Sequence, residues 1–478
     1  MRRAAFGLLL LAWLLVLVKI AAPQLTQAFQ PDGDLAADML LVNQLHADGY
    51  LFTGHYSRFG FNHPGPSFIY MNALFEQIGA AVGMPRANAW FLSSLAFNFG
   101  FLLLIAWATA RLFERRLSLA ALAAVVPLSI LLGSTLANFW MPYRLVLPFA
   151  AFFLTVVLVA ARGTRFLPLA MALACLLIHG YVTMPVFTLP LVLLATLFQL
   201  WQTDWRLAPH GRWLLIALGI GALFLLPLVL DSLVSPQPNL QRILETQSHL
   251  AGAEHPTLAE SLAYALSYWQ ATLLFLVPAA LAFLLRVRRI SRADRRLLLY
   301  AIALAALVSV LFVLYHLTVP RPLHPFMGSY YQGVPLAITV LLLYVALCSL
   351  PRPGASALLA GALLVWLSTL QIQLMAPRED IRELGDFLAS HSGQRVVLDY
   401  PEGGEPFWIT AGGLLLYLKD KGVDACIARP DLDFLYTPKG VCREKADVRL
   451  QRADQCAPGC LVTSGGLALA PAVPRQGG

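Results

Sequence analysis

The chain has 478 residues, 58% of them hydrophobic and only 13% charged, with a mean hydropathy of +0.68. A water-soluble surface of this size needs about a quarter of its residues charged, so a soluble enzyme, a disordered chain, a coiled coil and a collagen-like repeat are excluded. The net charge of +8 is then a matter of where the basic residues sit relative to a bilayer, and no nucleic-acid partner is implied.

Met1-Arg2-Arg3 precedes an apolar run over residues 4–22, long enough to cross a bilayer as a helix that starts in the cytoplasm. A cleaved signal peptide is the rival reading. Ala21-Ala22 followed by Pro23 is a poor cleavage site, and the many later spans favour an uncleaved anchor. Further apolar spans lie near 90–110, 117–134, 145–161, 166–183, 185–201, 213–230, 266–285, 297–318, 331–350 and 356–375. By length they predict about eleven crossings. Residues 67–83 could be a twelfth, but they carry Asn72, Glu76 and Gln77, and a crossing there would put Arg111, Arg115 and Arg116 outside. They are read as a membrane-surface helix, which keeps those arginines in the cytoplasm.

Every alternate connection is then basic: Arg162 and Arg165, Arg206 and Arg212, the cluster from Arg286 to Arg296, and Arg352. These connections hold more than the whole basic excess, so the remaining residues are together net acidic. The opposite side receives three long segments, 23–89, 231–265 and everything after 376. The chain is accordingly divided into a transmembrane domain over 1–375 and a domain over 376–478. The predicted fold class is an all-α polytopic membrane protein with a small C-terminal α/β extracytoplasmic domain.

Within the C-terminal hundred residues the pattern predicts a helix over 379–391, a strand over 395–400, a helix over 407–421 ended by Gly422, and a strand over 423–428, with a frayed tail after Leu469. Cys426, Cys442, Cys456 and Cys460 lie here, whereas Cys175 and Cys348 are inside apolar spans. Four cysteines in an oxidising compartment read as two disulfides with three possible connectivities. A zinc site is the alternative, weakened by the lack of any histidine after His391.

The first long segment carries the chemistry. Gln30-Pro31-Asp32-Gly33-Asp34 opens a helix over 35–46, and the loop continues as Gly54-His55-Tyr56-Ser57-Arg58-Phe59-Gly60-Phe61-Asn62-His63-Pro64-Gly65-Pro66. Asp34 as a simple helix cap is the plainer reading. So many polar side chains beside apolar helices point instead to a functional loop.

On these motifs the chain resembles the GT-C superfamily of membrane glycosyltransferases, in the branch of the protein mannosyltransferases and the aminoarabinose transferase of lipid A. The matching pieces are Gly33-Asp34-Leu35-Ala36-Ala37-Asp38, then His63-Pro64-Gly65-Pro66-Ser67-Phe68-Ile69-Tyr70, then a second surface helix over 75–83, then the span ending at Arg111-Leu112-Phe113. They cover the first third of the chain, and the rest matches only by architecture. The family's Asp-Glu pair is here Asp34-Leu35 with the second acid displaced to Asp32, and its Lys-Pro-Pro is here His63-Pro64-Gly65-Pro66.

The resemblance implies transfer of a sugar from a polyprenyl-phosphate donor to a glycan, lipid or protein acceptor at the outer face of a bacterial inner membrane. Such transfer needs a base for the acceptor hydroxyl and cations for the departing phosphate. Asp34 is the expected base, with Asp32 assisting, and a divalent metal, where one is used, would fall to Asp32 and Asp34. His55, Arg58, His63, Arg144, Arg321 and His324 are the candidate substrate-binding residues, since guanidinium groups suit phosphate oxygens. Arg144 and Arg321 equally fit helix-end residues whose heads reach water. His55, His179 and His316 also read as satisfied hydrogen-bonding histidines, and Tyr330 and Tyr331 as members of an interfacial aromatic belt. A transporter or flippase of lipid-linked glycans, a polysaccharide polymerase or ligase and a silent assembly partner are the competing classes. The nearly charge-free centres of the spans favour surface chemistry over translocation. The sequence carries no Walker loop, His-Glu-x-x-His motif or Gly-x-Ser-x-Gly elbow.

Overall fold

The computed structural model describes residues 21–113, 139–250, 252–286, 291–348, 377–391, 395–401, 405–456 and 459–472, with scattered positions at 11–19 and 123–124. The chain is a helical polytopic membrane protein with a small C-terminal α/β domain. It forms two compact units. The first comprises Met1–Pro23, Phe91–Leu226 and Ser248–Gln373, and the second Gln24–Trp90, Pro227–Gln247 and Leu374–Gly478.

Among the described residues six helices are long and apolar enough to cross a bilayer: Arg86–Phe113, Met141–Arg162, Met184–Gln202, Gly211–Val234, Arg292–His316 and Ser329–Cys348. The pair Leu258–Gln270 and Thr272–Leu285, bent by 50°, makes a seventh if counted as one span. The expected span at 166–183 is a shorter apolar helix, Thr164–Gly180. Those at 117–134 and 356–375, and most of the one at 4–22, lie outside the described residues.

Met141–Arg162 is 94% buried within the protein and Gly211–Val234 only 6%, so the former is a core element and the latter presents its Leu and Val side chains outward. Helix Gly333–Cys348 lies very close to this core helix, since a Cβ at Gly333 would meet the Val146 carbonyl at 2.7 Å and the Ala150 nitrogen at 2.8 Å. At the end of the core helix Arg162 Nη2 donates to the Leu112 carbonyl at 2.6 Å, satisfying one of the last carbonyls of Arg86–Phe113.

The second unit begins with α1 (Gly33–Asp48), a hairpin of β1 (Tyr56–Ser57) and β2 (Phe61–Asn62), and α2 (Ser67–Ala81). The hairpin pairs Tyr56 with Asn62 and Ser57 with Phe61. Its three-residue loop closes at Gly60, whose φ of +88° only glycine adopts readily. At 15 residues, α2 is too short to span a bilayer of about 20 residues. It buries Phe68, Ile69 and Asn72 while Tyr70, Leu74, Ile78 and Val82, four residues apart, are exposed, the pattern of a helix lying on a membrane surface.

α3 (Asn239–Leu250) precedes the C-terminal elements α4 (Glu379–His391), β3 (Arg395–Asp399), α5 (Glu405–Asp420), β4 (Asp424–Ile427), α6 (Asp433–Tyr436), β5 (Val448–Arg452), β6 (Val462–Ser464) and β7 (Leu467–Pro471). The sheet has the order β4-β3-β5-β7-β6. β3 is parallel to β4 and β5, and β7 is antiparallel to β5 and β6. The helices and strands expected over 379–428 are present. Of the tail expected to fray after Leu469, Ala470 and Pro471 instead pair with Arg449 and Val448 in β5, and residues 473–478 lie outside the described residues. Cys426 pairs with Cys442 and Cys456 with Cys460, so two disulfides form rather than a zinc site, leaving Cys175 and Cys348 as thiols.

Candidate active site

Asp32 occupies the position just before α1 but makes no side-chain capping bond. Its carboxylate instead pairs with Arg378 Nη1, whose guanidinium also holds Asp380 through Nε at 2.8 Å and Nη2 at 2.7 Å and donates to Thr410 Oγ1 at 3.0 Å. Burial raises the Asp32 carboxyl above its usual range against the pull of Arg378, while the hydrogen bonds from Arg378 hold Asp380 below its own. Asp32 is thus committed to an ion-pair network within its unit.

Asp34 lies in the first turn of α1 and accepts a hydrogen bond from the Tyr56 hydroxyl of the hairpin. Tyr56 is raised above the ordinary phenol range by burial first and then by the nearby Asp34 and Asp38 carboxylates, so it stays protonated and can only donate to Asp34. The tyrosine ring meets the edge of Trp408 at 6.2 Å and Phe434 at 6.4 Å.

The hairpin is itself held. Asn62 N donates to Asn239 Oδ1 at 2.8 Å, Asn239 Nδ2 returns a bond to the Asn62 carbonyl at 2.5 Å, and Asn62 Nδ2 reaches the carbonyls of Gly54 and Phe434 at 3.2 Å. Asn239 is fixed in turn by Asp231 Oδ2, which accepts from its backbone N–H at 2.7 Å. The other face of the site is formed by α5. A Cβ at Gly413 would lie 2.5 Å from Ile381 Cδ1 and 2.9 Å from the Pro31 carbonyl, so glycine lets α5 approach the backbone immediately before Asp32.

His55 and His63 are both buried, their rings 4.2 Å apart. Burial pushes the His63 imidazole down to about 3. It is neutral at ordinary pH, and the expectation of a cation there is corrected to a buried neutral ring. Arg58 is exposed at the hairpin tip, its guanidinium 4.9 Å from the Phe59 ring.

The remaining candidates belong to the first unit. Arg144 is fully buried, within 3.5 Å of Ser93 Oγ and 5.2 Å from the Phe97 ring, which rules out the reading of it as a helix-end residue reaching water. Arg321 is half exposed and engages Glu260 at 2.6 Å and Glu254 at 4.0 Å. His324 stacks on Phe326 at 5.3 Å, and its carbonyl accepts from the Tyr264 hydroxyl at 2.7 Å. His179 bonds the Phe224 carbonyl and His316 the Phe312 carbonyl, both at 2.7 Å. Tyr330 and Tyr331, expected in an interfacial belt, are completely buried instead, with Tyr331 bonded to Ser309 and Trp269. Packing around Phe312, 4.1 Å from the Tyr331 ring, is the physical reason.

Tyr56, Arg378, Asn239 and Gly413 escape reading by sequence. A signal existed for Arg378, a basic residue on the side that the charge pattern leaves acidic. Among the described residues no group of three His, Cys, Asp or Glu side chains is placed to hold an ion; Asp32 is paired with Arg378 and Asp34 accepts from Tyr56.

No protein-family model matches the chain, and no curated protein matches it. Among solved structures it is similar to ArnT from Cupriavidus metallidurans in the apo state, at 13% identity over 98% of each chain with a TM-score of 0.43. It is likewise similar to ArnT from the same organism bound to undecaprenyl phosphate, at 15% identity over 99% of each chain with a TM-score of 0.40.

Proposed function

We propose that the protein is a membrane glycosyltransferase that moves a sugar from a polyprenyl-phosphate donor to an acceptor at the outer face of a bacterial inner membrane. The observation that carries this reading is the Asp34 carboxylate, which accepts a hydrogen bond from a half-buried tyrosine hydroxyl of another element. A carboxylate serving only to cap its own helix needs no such partner. Asp34 accepts the proton of the acceptor hydroxyl, the freed oxygen attacks the anomeric carbon, and the carbon–oxygen bond to phosphate breaks with its electron pair leaving on the polyprenyl phosphate. The exposed Arg58 offers a guanidinium for phosphate oxygens, and the neighbouring buried rings of His55 and His63 form a polar wall.

Purified Asp34→Asn protein, assayed with a panel of polyprenyl-phosphate sugars, should lose transfer by a factor of about 10²–10⁴, the usual contribution of a positioned base. Retention of full transfer would remove Asp34 from the mechanism.

A further inference from the structure

Tyr56 is neither part of the acidic motif nor a cation for phosphate, yet its surroundings are unusually determined for a loop residue. Its backbone is paired with Asn62 in the hairpin. Asn62 is clamped by a reciprocal pair of hydrogen bonds to Asn239 and by a bond to the Phe434 carbonyl. The ring is confined by Trp408 and Phe434. Three separate stretches of sequence thus converge to fix one hydroxyl, and that hydroxyl is spent on Asp34 Oδ1.

We infer that Tyr56 is the positioning residue of the site: it fixes the rotamer of the Asp34 carboxylate and favours its ionised form, so that the carboxylate is ready to take a proton. This inference rests on the reading of Asp34 as the base. A hydrogen bond donated to a carboxylate stabilises the charged form, and here it opposes the neighbouring negative charges of Asp32 and Asp38. A phenol raised above its ordinary range keeps its proton throughout the working pH range and so never ceases to donate.

The test needs no knowledge of the acceptor. A carbodiimide reacts with the protonated form of a carboxyl group, so the pH at which the peptide containing Asp34 is half labelled, read by mass spectrometry on the full-length protein in nanodiscs, reports its ionisation. Tyr56→Phe should move that midpoint up by about one pH unit, the size expected on losing one hydrogen bond to a charged group. Ser57→Ala removes a buried hydroxyl from the same hairpin, one that accepts from Phe59 N at 3.3 Å, and should leave the midpoint where it is. An unmoved midpoint in Tyr56→Phe, an equal shift in both variants, or no labelling of Asp34 at any pH would overturn the inference. Should Tyr56→Phe misfold, Trp408→Leu, which frees the ring without touching the hydroxyl, should shift the midpoint in the same direction, and its failure to do so counts equally against the proposal. Failure of the base reading is seen separately, as transfer surviving in Asp34→Asn.

Discussion

Two carboxylates two residues apart have different work. Asp32 and Asp34 are both legible in the sequence, but what separates them is not, because their partners Tyr56 and Arg378 lie 22 and 346 residues away. Local spacing cannot encode which distant side chain will arrive at which oxygen. Arg378→Met should weaken the network around Asp32, Asp380 and Thr410 by about 2 kcal/mol, the loss of hydrogen bonds to charged groups, seen as a lower thermal midpoint of the purified protein. The pH dependence has a defined sign. Arg378 holds Asp380 below its ordinary value, so that ion pair contributes fully above about pH 4 and is lost as the pH falls through the lower folded value. Asp32, raised by burial, works the other way, since its strain is relieved by protonation. Acidification below about pH 4 should therefore destabilise the wild type more than Arg378→Met.

Helices were more legible than strands. Long apolar runs locate the six described spans to within a few residues, because crossing a bilayer demands length and hydrophobicity together. In the C-terminal region the parallel part of the sheet follows from runs such as Val396-Val397-Leu398, buried on both faces. β5 was available as an alternation, with Val448 and Leu450 buried and Arg449 exposed, whereas the three residues of β6 are too few to show a period. Close packing between helices left almost no trace beyond a Gly-Gly pair in α5. Gly413→Ala would drive a methyl group into Ile381 and the Pro31 carbonyl, and should cost about 1–3 kcal/mol through overpacking. Limited proteolysis within residues 24–32 should become faster in that variant, whereas Gly422→Ala, with open space around its Cβ, should leave cleavage there unchanged even though its φ of +76° strains the turn at the other end of α5.

At the scale of the whole molecule, the pairing of four of the six cysteines suits a C-terminal region outside the reducing cytoplasm. Denatured protein should take up two alkyl groups before reduction and six after it. A phosphatase reporter that folds only outside the cytoplasm should be active when fused after residue 472, and an inactive fusion would reverse the predicted orientation. The second unit also sets an order of events during biosynthesis. Asp34 and Tyr56 are made early, whereas Arg378, which pairs with Asp32, and Trp408 and Phe434, which pack on the Tyr56 ring, follow more than 300 residues later. At about 5–20 residues per second, the acidic loop waits on the order of tens of seconds before the walls that orient its carboxylate exist. A nascent chain stalled before residue 378 would therefore carry Asp32 without its ion pair and Tyr56 without the ring contacts of Trp408 and Phe434.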